Sequence, residues 1–249
     1  NAYFHAALAG VDEEQDIDSG SMAYTTRAIE EYKTALNADP DSPQPNLALA
    51  DLYYRVGKAS DAEATARGLL KTAPNNLEAH KLLGRIYLRQ LSESQNSVSS
   101  SSPSGNPLDQ AIAEYEKIVQ LDPKSVDDHM VLGQLYTVKH DSKKAEEQFS
   151  IARSINPNSE EVVLNLARLY AENGNVQQAA KVIEQVNPDN RTSKMEFALG
   201  AAYEQLKQPK DAIAAYQRAE NLEPGDPRTI SALAQALFTD NQLDAALKQ

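Results

Sequence analysis

A proline closes the same short phrase along most of this chain. "LNADP", "LKTAP", "VQLDP", "RSINP" and "ENLEP" end at Pro40, Pro74, Pro123, Pro157 and Pro224. Pro40 to Pro74 is 34 residues, and Pro123 to Pro157 is again 34. Pro157 to Pro224 is 67, close to two such periods, with Pro188 between them. A period of this size constrains the fold more than any other feature. It means a stack of similar helical units, each burying its apolar face against its neighbours.

On this period, columns align. Leu49, Leu83, Leu132, Leu166, Leu199 and Leu233 form one, followed directly by Ala50, Gly84, Gly133, Ala167, Gly200 and Ala234. Three residues later stand Tyr53, Tyr87, Tyr136, Tyr170, Tyr203 and Leu237. Leucine, small residue and tyrosine at i, i+1 and i+4 are one face of a helix. A second set is Ala28, Ala62, Ala111, Ala145, Ala179, Ala212 and Ala246. Four residues on lie Tyr32, Ala66, Tyr115, Phe149, Ile183 and Tyr216, the buried face of a second helix. Gly57 and Gly174 fall between the two helices, where a C-terminus favours a left-handed residue. Pro209 stands where a second helix begins, and the phrase-ending prolines stop each second helix.

This pattern, L-[GA]-x-x-Y, then A-x-x-x-[YF], then P, resembles the tetratricopeptide repeat over nearly the whole chain. The large aromatic often found three residues before the leucine is replaced by Asn46, His80, His129, Val163, Glu196 and Ile230. The resemblance implies an all-α, right-handed superhelical solenoid of about seven helix-turn-helix repeats. One solenoid over 1–249 is expected. Its repeats are 1–40 with an insertion at 10–21, 43–74, 77–123 with a serine-rich insertion at 92–107, 126–157, 160–188, 193–224 and a truncated 227–249.

The serine run "SESQNSVSSSSPSGNP" has the composition of a domain linker. Pro74 to Pro123, however, is 49 residues, one period plus 15. The flanks 78–90 and 108–120 carry first-helix and second-helix columns, so the run is a loop inside repeat three. Lengthening a loop costs only about 0.6 kcal/mol per doubling, so the helices still pair. Repeat one is read likewise, with 2–9 as part of a first helix, 22–38 as the second and the acidic 10–21 between. Repeat five is irregular. Pro188 comes 31 residues after Pro157, so its second helix is expected to end about a turn early.

The formal net charge of −12 disfavours nucleic acid and anionic membrane surfaces as partners, and the chain has no cysteine. No Gly-rich phosphate loop ending in Gly-Lys-Ser/Thr and no His-Glu-x-x-His is present. His80 and His129 share a column, but no ligand set recurs beside them, so they read as packing positions and no metal is expected. Neither catalysis nor a cofactor is expected.

Within the resembled family, first helices line a concave groove that binds peptides or extended segments. The residues assigned to it here are Tyr54, Arg55, Lys81, Arg85, Arg89, Gln134, Arg168 and Phe197. Lys81, Arg85 and Arg89 step by four along one helix face as a basic ridge, which Arg55 and Arg168 extend. Such a ridge suits an acidic segment or a terminal carboxylate. The bland alternative is that these cations pair with Asp51, Glu78 or Glu172 and contribute about 0–1 kcal/mol each. The carboxylate clamp of chaperone-binding members is incomplete, because Arg85 replaces an expected asparagine and Val131, Glu161 and Asn165 do not complete it. The asparagine ladder of sugar-transferase members is absent, the column reading Ala48, Leu82, Val131, Asn165, Ala198, Ala232.

The expected function is therefore a protein-protein interaction scaffold. The alternative is a partner- or substrate-selecting arm of a larger enzyme or secretion or envelope assembly. The chain begins at Asn1 and stops inside a second helix at 243–249, so it is expected to be a piece of a longer protein. A bacterial envelope location is the corresponding expectation.

Overall fold

The computed structural model describes residues 4–11, 22–96 and 105–240. The chain divides into two compact units, 1–123 and 124–249. In the N-terminal unit, α1 (4–11) precedes α2 (Met22–Ala38), α3 (Pro43–Arg55), α4 (Ala59–Thr72), α5 (Leu77–Asn96) and α6 (Pro107–Leu121). The C-terminal unit contains α7 (Val126–Val138), α8 (Ser142–Ile155), α9 (Glu160–Glu172), α10 (Val176–Glu184), α11 (Ser193–Gln205), α12 (Pro209–Leu222) and α13 (Pro227–Thr239), with a short 3-10 turn, Pro188–Asn190, after α10. Within each unit successive helices pack together: α2 on α3, α3 on α4, α4 on α5, α5 on α6, and α7 through α13 in order.

The columns explain this packing. All six leucines, and Ala28, Ala62, Ala111, Ala145, Ala179 and Ala212, are buried. The small-residue column is matched in size to its own second helix. A Cβ built on Gly84 would lie 2.9 Å from the Tyr115 ring, on Gly133 2.5 Å from Phe149, and on Gly200 2.6 Å from Tyr216. Where the column holds alanine, at Ala50 and Ala167, the corresponding second-helix residues are Ala66 and Ile183. A large ring is accommodated by removing a methyl group from the facing helix, as close packing requires.

Hydrogen bonds repeat with the same period. The backbone carbonyls of Tyr53, Tyr136, Tyr170 and Tyr203 each accept the N–H five residues on, at 2.8–2.9 Å. This closes a Schellman turn whose left-handed residue is Gly57 (φ 80°), His140 (φ 61°), Gly174 (φ 77°) or Lys207 (φ 58°). The tyrosine hydroxyls tie first helices to the preceding second helix: Tyr87 donates to Glu63 at 3.0 Å, Tyr170 to Glu146 at 2.7 Å and Tyr203 to Glu184 at 2.6 Å. Serine, asparagine, threonine or aspartate caps open α6, α7, α9, α11 and α13.

Where the column that lacks the large aromatic holds Asn46, His80, His129 or Glu196, the side chain is buried and met by polar partners. His80 Nδ1 lies 2.6 Å from Glu114 and its Nε2 3.0 Å from the Pro74 carbonyl. His129 Nδ1 meets Gln148 at 2.8 Å, and Asn46 donates to the Pro40 and Ser42 carbonyls. In the first repeat His5 Nδ1 meets Glu31 at 2.6 Å, which puts 4–11 in register as a first helix, with Ala9 fully buried. These histidines therefore hold helix pairs together.

Two boundaries differ from the sequence expectation. The first helix of repeat three, expected at 78–90, runs on to Asn96 over 20 residues. The stretch Ser92–Asn96 holds no helix breaker, and Arg89 Nε reaches Glu93 one turn on at 2.9 Å. The insertion assigned to 92–107 thus shrinks to 97–106, of which 97–104 lie outside the described residues. Its flanking helices α5 and α6 pack together inside one unit. In the first insertion, Gly10 and Val11 continue α1, and 12–21 lie outside the described residues, as do 241–249.

Repeat five departs as anticipated. Its second helix, α10, has nine residues, against 14 in α4, α8 and α12. Arg191 closes the early end: its Nη2 donates to the Glu184 carbonyl at 2.8 Å and its Nε to the Val186 carbonyl at 2.9 Å. Nη1 lies 3.4 Å from Glu196, a carboxylate only 1 % exposed, which Arg218 holds from α12 at 2.9 Å. One buried anion thus joins the truncated helix to the next repeat.

Candidate partner-binding grooves

In the N-terminal unit the assigned cations gather around Asp51 and Tyr54. Arg85 Nη2 lies 2.7 Å from Asp51 and Arg55 Nε 3.1 Å from the same carboxylate. The Arg85 and Arg89 guanidinium carbons sit 5.2 and 5.8 Å from the Tyr54 ring centroid, within cation–π range. Arg89 is also 2.9 Å from Glu93, which raises its pKa above the ordinary arginine value, while burial lowers that of Arg55. Lys81 is half-buried one turn before Arg85. Arg55, Arg85 and Arg89 thus each lie in an ion pair with a neighbouring carboxylate, and Arg168 belongs to the other unit. Asp51 and Arg85, with Leu47, Ala48, Glu78 and Leu82, line a groove of about 290 Å³.

The C-terminal unit carries a larger trough of about 640 Å³. Helices α9 and α11 form its walls and α10 its floor. Leu164, Phe197, Ala198 and Ala201 supply apolar surface. Phe197 is itself set by a ring contact with Tyr216, centroids 5.5 Å apart. The trough is open because its residues are small: Ala167, Ala171, Ala179 and Ala202 also line it, and Ile183 stands on α10 in place of an aromatic.

Polar groups ring this trough. Lys194 crosses from α11 to Glu160 on α9 at 3.0 Å. A hydrogen bond from Thr192, then Lys194, holds the Glu160 carboxyl below its ordinary range. Arg168 donates to the buried Asn165 Oδ1, while Asn165 Nδ2 donates to the Glu161 carbonyl at 2.8 Å. Arg168 Nε lies 4.0 Å from Glu172.

Of the sequence-assigned residues, Tyr54, Arg55, Arg85 and Arg89 are thus brought together in one unit, and Arg168 and Phe197 in the other. Gln134, half-buried on α7, lines neither groove. Sequence reasoning missed Asn165 and Ala198 as lining residues. Both lie in the column before the leucine, read for an asparagine ladder and, at Asn165, for a carboxylate clamp.

Among the described residues, no three His, Asp or Glu side chains gather as a metal site, and no helix is long and apolar enough to cross a membrane.

Tetratricopeptide repeat signatures match residues 25–86 and 105–249. Among curated proteins, the human protein O-mannosyl-transferase TMTC1 is 25 % identical over 193 residues, 72 % of this chain and 20 % of that protein. Cellulose synthase operon protein C of Pseudomonas fluorescens (strain SBW25) is 46 % identical over 48 residues, 19 % of this chain and 4 % of that protein. The matched stretches thus span a fifth or less of those relatives. Among solved structures, YrrB, described as a tetratricopeptide repeat protein with an unusual peptide-binding site, superimposes with a TM-score of 0.60 at 17 % identity, covering 86 % of this chain and 99 % of that one. MamA superimposes with a TM-score of 0.57 at 18 % identity, covering 83 % and 94 %. With its period, its buried columns and these matches in agreement, the chain belongs to the tetratricopeptide repeat family.

Proposed function

We propose that this chain is a protein-interaction scaffold that binds an extended peptide segment of a partner in its grooves, and that it has no catalytic role of its own. The observation that carries the reading is the α9–α11 trough, an apolar surface of alanines, Leu164 and Phe197 inside a polar rim. Such a surface takes a side chain while rim groups meet a peptide backbone. The solved structure of YrrB, named for its peptide-binding site, lends it support. The ridge of Arg55, Lys81, Arg85 and Arg89 is proposed to take an acidic segment, since its four cations face three carboxylates, Asp51, Glu78 and Glu93. The single array over 1–249 belongs to the same proposal.

The test is to titrate the 249-residue chain with an array of extended peptides and follow binding by calorimetry. Ala201→Trp fills the trough and should lower the affinity of trough-binding peptides at least ~10-fold, because the side-chain pocket is lost. Triple reversal of Lys81, Arg85 and Arg89 to Glu should remove preference for acidic peptides. Binding unchanged by either variant would refute both grooves.

A second reading rests on the 193-residue match to a fifth of a mannosyl-transferase: the array serves as the partner-selecting arm of a larger protein. A native protein well above 27.2 kDa on an immunoblot supports it, and one at that mass refutes it.

A further inference from the structure

We infer that the α9–α11 trough selects a segment in which an apolar side chain is flanked by lysine or arginine. The inference rests on the proposal that this trough binds peptide, and it specifies the charge of the segment bound there. It begins from how the rim's charges are used. The two cations of the rim are both answered inside the site. Lys194 is held by Glu160 at 3.0 Å, and Arg168 by the Asn165 oxygen with Glu172 at 4.0 Å. Three carboxylates, Glu160, Glu161 and Glu172, stand against those two cations. Glu161 is exposed in the first turn of α9, and among the described residues its side chain makes no hydrogen bond or ion pair. The charge left over at the trough is negative and lies beside its apolar surface.

Physics then favours one kind of occupant. Leu164, Phe197 and Ala201 offer apolar surface for a side chain of leucine or methionine size. An acidic flank would face Glu161 with like charge and would have to compete with Glu160 and Glu172 for cations already engaged. A basic flank reaches Glu161 without breaking an existing pair, and like-charge juxtaposition is the stronger discriminator at interfaces. The N-terminal unit's ridge, with cations in excess, has the opposite balance, so the preference belongs to this trough and not to the chain's overall charge alone.

The probes are three fluorescein-labelled peptides with a central leucine, Gly-Ser-Lys-Leu-Lys-Ser-Gly, the same with serine for lysine, and the same with glutamate for lysine. Anisotropy with the 249-residue chain should show the lysine peptide binding about fivefold or more tighter than the glutamate peptide at low salt, the scale of an exposed ion pair. Glu161→Lys should abolish or invert that order, and Ala201→Trp should weaken all three. Equal binding of the three peptides, or an order that Glu161→Lys leaves unchanged, overturns the charge preference while leaving the trough as a peptide site. A lysine preference with affinities that Ala201→Trp leaves undiminished places the contact elsewhere and also overturns it. Binding of none of the three overturns the preference together with the trough reading on which it rests.

Discussion

The α7–α8 and α9–α10 hairpins are built on the same columns and reach different ends. In α7–α8, Gly133 faces Phe149, and α8 runs 14 residues to Ile155 before Pro157. In α9–α10 the same positions hold Ala167 and Ile183, and α10 stops after nine residues at Glu184. The first hairpin is filled by one ring seated on a glycine. The second is filled by aliphatic and small side chains, and its short α10 forms the floor of the trough. The difference shows how a repeat acquires a site. The leucine and alanine columns stay constant and preserve stacking, while smaller residues elsewhere leave volume that a partner can occupy. The shortened helix requires its own closure, supplied by Arg191 and the buried Glu196.

That closure should give the largest effect. Glu196→Ala leaves the charge of Arg191, whose side chain is 11 % exposed, with only its two carbonyl partners and no counter-charge, and should destabilise the C-terminal unit by about 3 kcal/mol. In the regular hairpin the same column holds His129 against the amide of Gln148, and His129→Ala should cost about 1.5 kcal/mol. Urea denaturation followed by circular dichroism compares them. Equal losses would mean that the irregular repeat has no special dependence on its buried anion.

The tyrosine ties come next. Tyr170→Phe and Tyr203→Phe each remove a hydroxyl-to-carboxylate bond and should cost about 1 kcal/mol. Burial first, then the Glu146 or Glu184 carboxylate, pushes each phenol up from 10.0 to about 12. The neutral phenol is therefore the form that the fold favours. Its stabilisation is complete below pH 10 and is lost as pH rises to about 12. The double phenylalanine variant should show a shallower loss of stability across that window. A slope unchanged from the parent would show that these hydroxyls do not couple the repeats.

The smallest effect lies in the turns. Lys207 and His140 hold the left-handed position that Gly57 and Gly174 occupy elsewhere. Lys207→Gly should raise stability by about 0.5 kcal/mol, the relief of backbone strain being partly offset by glycine's greater freedom when unfolded. A loss in thermal denaturation would mean that the lysine side chain contributes more than its backbone strain costs.

Much of this was legible in the sequence because the period makes one repeat a template for the next. The helix pairing, the buried columns and the early stop at Pro188 all follow from spacing. Glu160 and Lys194, and Asp51 and Arg85, are each one 34-residue period apart and form ion pairs across adjacent first helices. What escaped was set by side chains acting out of register or without a breaker. The extension of α5 to Asn96 followed no Gly or Pro signal, and His140 and Lys207 adopt a glycine-like backbone without glycine. Arg191 bonds carbonyls five and seven residues back, a reach that no column predicts. On the trough walls, Arg168 and Phe197 were read as groove residues. The volume between the walls was not read, because it depends on which neighbouring residues are small.

The matching of sizes between the two columns is the central claim, and a double-mutant cycle at Gly133 and Phe149 tests it most directly. Gly133→Ala alone drives a Cβ into the ring and should cost about 2 kcal/mol, and Phe149→Ile alone leaves a cavity and should cost about 2 kcal/mol. Together they recreate the Ala167–Ile183 arrangement, so the double variant should lose at least about 1 kcal/mol less than the sum of the singles. Additive losses would contradict the claim that each small residue is sized to the ring it faces.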